Sequence, residues 1–572
     1  MNFNALDWLV LLVTLSVIIA YGIYRSRTAR NLDGYLLGNR QMHWGLVMLG
    51  IMGTQASAIT FLTAPGQAYT DGMRFVQYYF GLPIAMVVLS ITFVPLFHKL
   101  KLYTAYAFLE ERFDLKTRTL TSFLFLLSRG LSTGISIFAP SLVLHSMLGW
   151  DIYVTNLFMG GLLIIYTVSG GAKAVAYTQQ LQFVIIYAAM FIAGAWAVNA
   201  LPEGIGFTDA LSISGKAGKL NIITSGVTEE GFNWKDRYNI WSGIIGGFFL
   251  ALSYFGADQS QVGRYLTAKD IKESRMGLLM NGLVKVPLQF CILLIGCLLF
   301  AYYAFFNAPV FFNTAQEQQV YESPYAAEYQ KVKSSYQLLQ QKKQQIAKSI
   351  AAEEKQVDPA AEAQLRSALV KTESDAAALR TEAKAIIAKA NPGADTNDTN
   401  YIFLRFVGDT LPHGLVGLII AIVFLAAWGS IAAALHSLAS CTMVDFHQKF
   451  ARKTLSEEDA YRWSKRYTLI WGIFCIVVAQ LSYNLGNSLI EAVNILGSWF
   501  YGTILGIFLV AFYVRKVQAN AVFIAALITE GIVIGVYFLD IISFLWLNAI
   551  GAIGVIVLAL ILQTFSKNKR LP

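Results

Sequence analysis

Two stretches of this chain place polar atoms inside apolar runs. Residues 50–66 read GIMGTQASAITFLTAPG and carry Gly50, Gly53, Thr54, Gln55, Ser57, Thr60 and Thr63. Residues 247–265 read GFFLALSYFGADQSQVGRY and carry Ser253, Tyr254, Gly256, Asp258, Gln259, Ser260 and Gln261. A helix interrupted at mid-membrane frees carbonyl and N–H groups that lipid cannot satisfy but a solute or a cation can. The chemistry this allows is recognition and release. Small-residue helix packing also enriches Gly, Ser and Thr. What favours transport is the pairing: the two interruptions fall five spans apart, at corresponding places in two halves.

The elements that must hold these stretches are membrane helices. The 572 residues are 56% hydrophobic and 14% charged, with mean hydropathy +0.53, whereas a soluble globular chain carries about 25% charged residues. The apolar runs are too long for barrel strands. Thirteen candidate helices follow, at roughly 6–25, 44–69, 75–98, 119–147, 153–170, 180–200, 239–262, 277–306, 412–445, 466–484, 489–514, 518–537 and 541–563. The first has no basic region or cleavage site ahead of it and reads as a retained span. With thirteen spans, the loops rich in Arg and Lys all lie on one side, including Lys99, Lys101, Arg264, Lys269, Lys449 and Arg515. The positive-inside rule makes that side the cytoplasm, with the N-terminus outside and the C-terminus cytoplasmic, in an inner or plasma membrane.

The net charge of +9 is explained by this loop asymmetry, and no nucleic-acid motif is present. Cys291, Cys297, Cys441 and Cys475 lack metal-ligand spacing and read as packed free thiols. There is no phosphate-binding loop, no His–Glu metal motif, no nucleophile elbow in plausible context and no filter-like repeat, so neither an enzyme nor a channel is indicated.

Residues 313–400 are polar and fall on the outer side. Tyr325, Tyr329, Val332, Tyr336, Leu339, Ile346 and Ile350 keep a 4-3 alternation, with Lys343 in the intervening slot. After Val357-Asp358-Pro359, Leu365, Leu369, Leu379 and Ile386 resume it. This predicts an antiparallel coiled-coil hairpin. It serves either as a docking arm for a protein partner or cover over the entrance, or as a stabilising insertion.

At TGISIFAPSLVLHSMLGW (133–150), GGAKAVAYTQQLQ (170–182), SAITFLTAPGQAY and DQSQVGRYLTAKD, the sequence resembles the sodium:solute symporter family, which includes sodium/glucose, sodium/iodide and sodium/monocarboxylate carriers. The resemblance implies an all-α, LeuT-like fold with a five-plus-five inverted-repeat core. It divides the chain into an extra span and cytoplasmic loop (1–43), the first repeat and the start of the second (44–312), the hairpin (313–400), the rest of the second repeat (401–515), and two C-terminal spans with a basic tail (516–572). It implies sodium-driven uptake of a small polar solute, and no enzyme activity.

The resemblance also assigns residues. Sodium would be held by the carbonyls of Gly53, Ala56 and Ala426 and by the hydroxyl of Ser430; a second expected hydroxyl appears as Gly429, unless water or Thr54 compensates. An expected aspartate appears as Gln179, and Ala432 and Ala433 replace hydroxyls of a further ion site. A coupling proton on His436, or uncoupled transport, is therefore an alternative, as is a transporter-like sensor. Asp258 is a membrane acid with either a coupling role or a structural partner in Arg129 or Arg264. Arg129 either meets an anionic solute or snorkels. The solute would contact Gln55, Ser57, Thr60, Tyr254, Lys285 and Asn494. Where sugar carriers place a pocket acid this chain has Tyr79, so a lysine without that acid suits a sugar acid or small carboxylate better than a simple hexose.

Overall fold

A computed structural model describes residues 3–26, 40–55, 57–100, 104–353, 359–451, 456–482 and 488–565. Among the described residues, eight helical stretches are long and apolar enough to cross a membrane, and three shorter apolar helices accompany them. The first interruption lies between α1 (Trp44–Gln55) and α2 (Ala58–Asp71). Ser57 joins them with extended backbone, at φ −86° and ψ 163°. The second separates α3 (Gly247–Ala257) from α4 (Gln259–Tyr265), with Asp258 extended at φ −78° and ψ 116°. Both breaks fall where the sequence places them.

Other elements begin at side-chain caps. Asp114 accepts from the Thr117 amide at 2.8 Å to start α5 (Leu115–Leu148). Asp270 accepts from Glu273 at 2.9 Å to start α6 (Ile271–Phe305). Each satisfies an amide the helix itself leaves unpaired. A single helical run, α7 (Ile152–Asn199), covers both predicted spans 153–170 and 180–200, so the GGAKAV segment is helical rather than a loop. The core is completed by α8 (Leu415–Cys441), α9 (Glu457–Leu481) and α10 (Leu489–Tyr513), followed by α11 (Ala519–Phe538) and α12 (Phe544–Phe565). α2 packs against α6 and α8, and α3 against α10. The α2–α6 approach is backbone to backbone: a Cβ at Gly296 would lie 2.1 Å from the Pro65 carbonyl oxygen, the close contact small residues allow between membrane helices.

The predicted hairpin is present as α13 (Ala326–Glu353) and α14 (Pro359–Ala390); Val357 and Asp358 lie outside the described residues. Tyr329, Val332, Tyr336, Ile346, Ile350, Leu369 and Ile386 are buried, in the predicted register. Lys343, the polar heptad residue, is also buried: it pairs with Glu373 at 2.6 Å and lies 4.2 Å from the Phe300 ring centroid of α6. Gln344 donates to the Phe305 carbonyl at 2.6 Å, so the hairpin rests on the end of the bundle. Its base reaches α2, where a Cβ at Gly66 would meet the Thr399 carbonyl oxygen at 2.1 Å.

Candidate functional site

The broken helices meet at a cavity of about 150 Å³. All six residues expected to contact solute line it: Gln55, Ser57, Thr60, Tyr254, Lys285 and Asn494. Three of them are held by a neighbouring side chain. Gln55 Nε2 donates to Asn281 Oδ1 at 3.1 Å. Asn494 Oδ1 accepts from Tyr78 Oη at 3.1 Å. Tyr254 Oη accepts from Gln261 Nε2 at 2.8 Å, and its ring lies 5.8 Å from that of Tyr501.

Lys285 is 3% exposed, on α6. Its ammonium lies 5.7 Å from the centroid of Tyr79, and among the described residues no carboxylate forms an ion pair with it. Buried cations are costly unless paired or solvated. This one sits at a cavity wall whose other lining residues include no acid, so an anionic group entering the cavity would supply the missing partner.

Asp258 has a different setting. It is 2% exposed and forms an ion pair with Arg129 of α5, rather than with Arg264. Tyr501 Oη donates to Asp258 Oδ2 at 3.1 Å, and the amide and hydroxyl of Ser260 donate to Oδ1 at 2.8 and 2.6 Å. The arginine also lines the cavity, with its guanidinium 5.3 Å from the Tyr254 ring centroid. Asp258 therefore stitches the second break to α5 and α10.

The residues assigned to sodium are only partly assembled around this cavity. Ser430 lines it, and its hydroxyl donates to the Ala426 carbonyl at 3.0 Å. Ala56 lies outside the described residues. Gln179 bridges the remaining pieces: Nε2 donates to the Gly429 carbonyl at 2.9 Å, and a Cβ at Gly53 would come within 3.0 Å of Gln179 Cβ. Gln179 Oε1 has no hydrogen-bond partner among the described residues. A Cβ at Gly429 would lie 2.8 Å from Gln182 Oε1 and 3.2 Å from Gln179 Cγ, so two glutamine side chains crowd the position where the resemblance leads to a hydroxyl. Thr54 donates to the Gly50 carbonyl at 2.8 Å and accepts from Arg264 Nε at 3.0 Å, which takes up one of its lone pairs. His436 is buried in α8, six residues beyond Ser430 and so about 9 Å along the axis, and is not among the cavity's lining residues.

Sequence reasoning missed Thr133, Ser136, Tyr78 and Tyr501 as cavity walls. Arg129, Thr133 and Ser136 stand at i, i+4 and i+7, a polar stripe in an apolar helix that periodicity could have exposed. Tyr78 and Tyr501 carry no such signal.

A model of the sodium:solute symporter family matches residues 35–327 and 376–529; the gap falls within the hairpin. The sodium/sialic acid symporter NanT of Aliivibrio fischeri is 24% identical over 577 residues, 99% of this chain and 94% of that protein. The human sodium/iodide cotransporter is 29% identical over 288 residues, 49% of this chain and 43% of that protein. A solved structure of a Na+-coupled sialic acid symporter, substrate-bound and outward-open, superimposes with a TM-score of 0.76 at 21% identity, covering 100% of both chains. That likeness shows the fold, the helical inverted-repeat architecture.

Proposed function

The chain belongs to the sodium:solute symporter family and is a sodium-coupled, multi-pass membrane carrier rather than an enzyme; on that premise we propose that it takes up a small organic acid, a sugar acid or monocarboxylate, by alternating access. The observation that carries this reading is Lys285: buried, at the cavity wall, with no carboxylate in an ion pair among the described residues. The solute carboxylate completes that pair, and Gln55, Ser57, Thr60 and Asn494 hydrogen-bond its other polar groups. Tyr254 closes the cavity towards the second break. Whole-length similarity to sialic acid symporters supports a sugar acid over a simple hexose.

Sodium is cargo with the solute. The carbonyls of Gly53, Ala56 and Ala426 and the Ser430 hydroxyl supply its oxygens, and Gln179 Oε1 stands in for the missing hydroxyl. In this reading the N-terminus is outside, the C-terminus cytoplasmic, and the membrane the inner or plasma membrane. The test is uptake by proteoliposomes under separately imposed sodium and proton gradients, with sialic acid, glucuronate, lactate and glucose as solutes. Sodium-driven uptake of an acid, lost in Lys285→Met, is the expected result. Preference for glucose would reject the solute class. Uptake driven by protons alone, or indifferent to either gradient, would favour proton-coupled or uncoupled transport, the reading that the lack of a hydroxyl at Gly429 motivates. No uptake of any solute, with a partner bound through the 313–400 hairpin, would favour a sensor.

A further inference from the structure

A second cavity, of about 280 Å³, lies between the last part of α7 and α6. Tyr187, Met190, Gly194 and Val198 form one wall and Ile292 and Ile295 the other, with Phe207 at one end. We propose that this groove is a binding site for one acyl chain of a membrane phospholipid, held against the back of the first broken helix.

Four observations support that occupant. Both walls belong to stretches long and apolar enough to cross a membrane, and Phe191 of the lining is exposed, as are Ile192 and Phe290 next to lining residues in the chain, so the medium that meets the groove is hydrocarbon. The lining is apolar apart from the Tyr187 hydroxyl and the Cys291 thiol, and ordered water needs two to four polar partners. The groove has the length of a leaflet: from Tyr187 to Val198 the helix rises about 16 Å, against about 15 Å for half the hydrocarbon core. It also ends beside Phe207, where α7 and α6 terminate at Asn199 and Phe305, so it runs through the leaflet nearest the hairpin.

The groove is shaped by a missing side chain. A Cβ at Gly194 would lie 3.3 Å from Ile295 Cγ1, so any larger residue there projects into the space. Behind the groove, the Tyr187 ring packs edge-on against Phe61 of α2, centroids 5.7 Å apart. Phe61 adjoins Thr60, which lines the solute cavity. An acyl chain in the groove therefore backs the helix that carries the first break.

The test uses the full-length protein in liposomes containing phosphatidylcholine with a diazirine in its acyl chain. Photolysis should label residues 187–198 and 291–298 several-fold more heavily than the lipid-facing side of α11 (Ile524, Leu527, Ile528 and Ile532). Gly194→Phe, and independently Ala195→Phe should the first fail to fold, should cut groove labelling several-fold and leave α11 labelling unchanged. Gly161→Phe, at a position where a Cβ meets nothing within 4 Å, should leave both unchanged. Groove labelling no heavier than on α11, or indifferent to both filling variants, would overturn the proposal. So would cross-links from these residues to a second copy of the chain, which would make the groove a protein interface. None of these readouts depends on the transported solute.

Discussion

The two broken helices differ in what closes them. At the second, Asp258 is tied to Arg129, Tyr501 and Ser260, and the Ala257 carbonyl accepts from Tyr106 Oη at 2.7 Å. At the first, Gln55, Ser57 and Thr60 line the cavity, and Ser57 makes no side-chain cap to the helix it begins. Similar sequence grammar, small and polar residues in an apolar run, thus yields one break satisfied by protein and one that presents polar groups to a cavity.

The sharpest way to break this comparison is to remove Arg129. Arg129→Ala leaves Asp258 buried and unpaired, and loss of one partner from a buried ion pair costs about 3–5 kcal/mol. Thermal melting of the purified carrier should fall steeply for Arg129→Ala, less for Arg129→Ala with Asp258→Asn. A melt that stays at the wild-type value in the single variant would mean the second break is not held this way.

Lys285→Met should act on affinity instead. A hydrogen bond to a charged group contributes about 1.5–3 kcal/mol, or roughly 10- to 100-fold in affinity. Binding of an acidic solute, read by solute-induced thermal shift, should weaken by that factor while the unliganded melt does not fall. A lower melt with unchanged solute affinity would move Lys285 from the cargo side to the scaffold.

The hairpin base touches α2, the helix that follows the first break, through Thr399 against Gly66. Near it, burial pushes the Asp395 carboxyl up to about 6, with Asp398 adding to the effect. A raised acid pKa means the folded state binds the proton more tightly, so the stability this contributes is fullest at low pH and is lost as pH rises through about 6. Amide exchange in residues 326–390 should therefore be slower, relative to intrinsic rates, at pH 5 than at pH 7, by about 1–2 kcal/mol of protection, and Asp395→Asn should flatten the difference. The Asp398 carboxyl is held below its usual range by Arg380 and Lys384 against the opposing effect of burial, so its own titration lies below this window. Equal protection at both pH values would show that Asp395 does not govern the base.

The smallest effect belongs to the ion. Ser430→Ala removes one neutral oxygen among several, a loss of about 1 kcal/mol, and should raise the sodium concentration for half-maximal uptake several-fold. Gly429→Ser alone should not improve sodium affinity, because the new Cβ meets Gln182 Oε1 at 2.8 Å; added to Gln182→Ala it should. Unchanged sodium dependence in Ser430→Ala would take that residue out of the ion site.

Local pattern made much of this protein legible. Ser57 and Asp258 are where helical continuity fails, and chain-local polarity marks both. The heptads of the hairpin hold because a 4-3 apolar rhythm specifies a seam whatever it packs against, which is why Tyr329, Val332 and Ile350 are buried as expected. Other features were illegible for the same reason in reverse. Nothing near residue 179 in the chain indicates that its amide reaches Gly429 at 2.9 Å, 250 residues away. Nor does the sequence around 170–175 show that this segment continues as helix.

By itself, the sequence determined that this chain lies in a membrane, where its helices break, and that the broken segments carry solute-compatible polarity, because hydropathy, small residues and polar side chains act within a few turns of themselves. Only the tertiary structure decided that Asp258 is paired while Lys285 faces a cavity without an acid, and that Gln179 and Gln182 pack against Gly429. Those outcomes depend on which side chains from distant segments share one low-dielectric space, where a partner a few ångströms away determines whether a buried charge is locked into the scaffold or left for cargo.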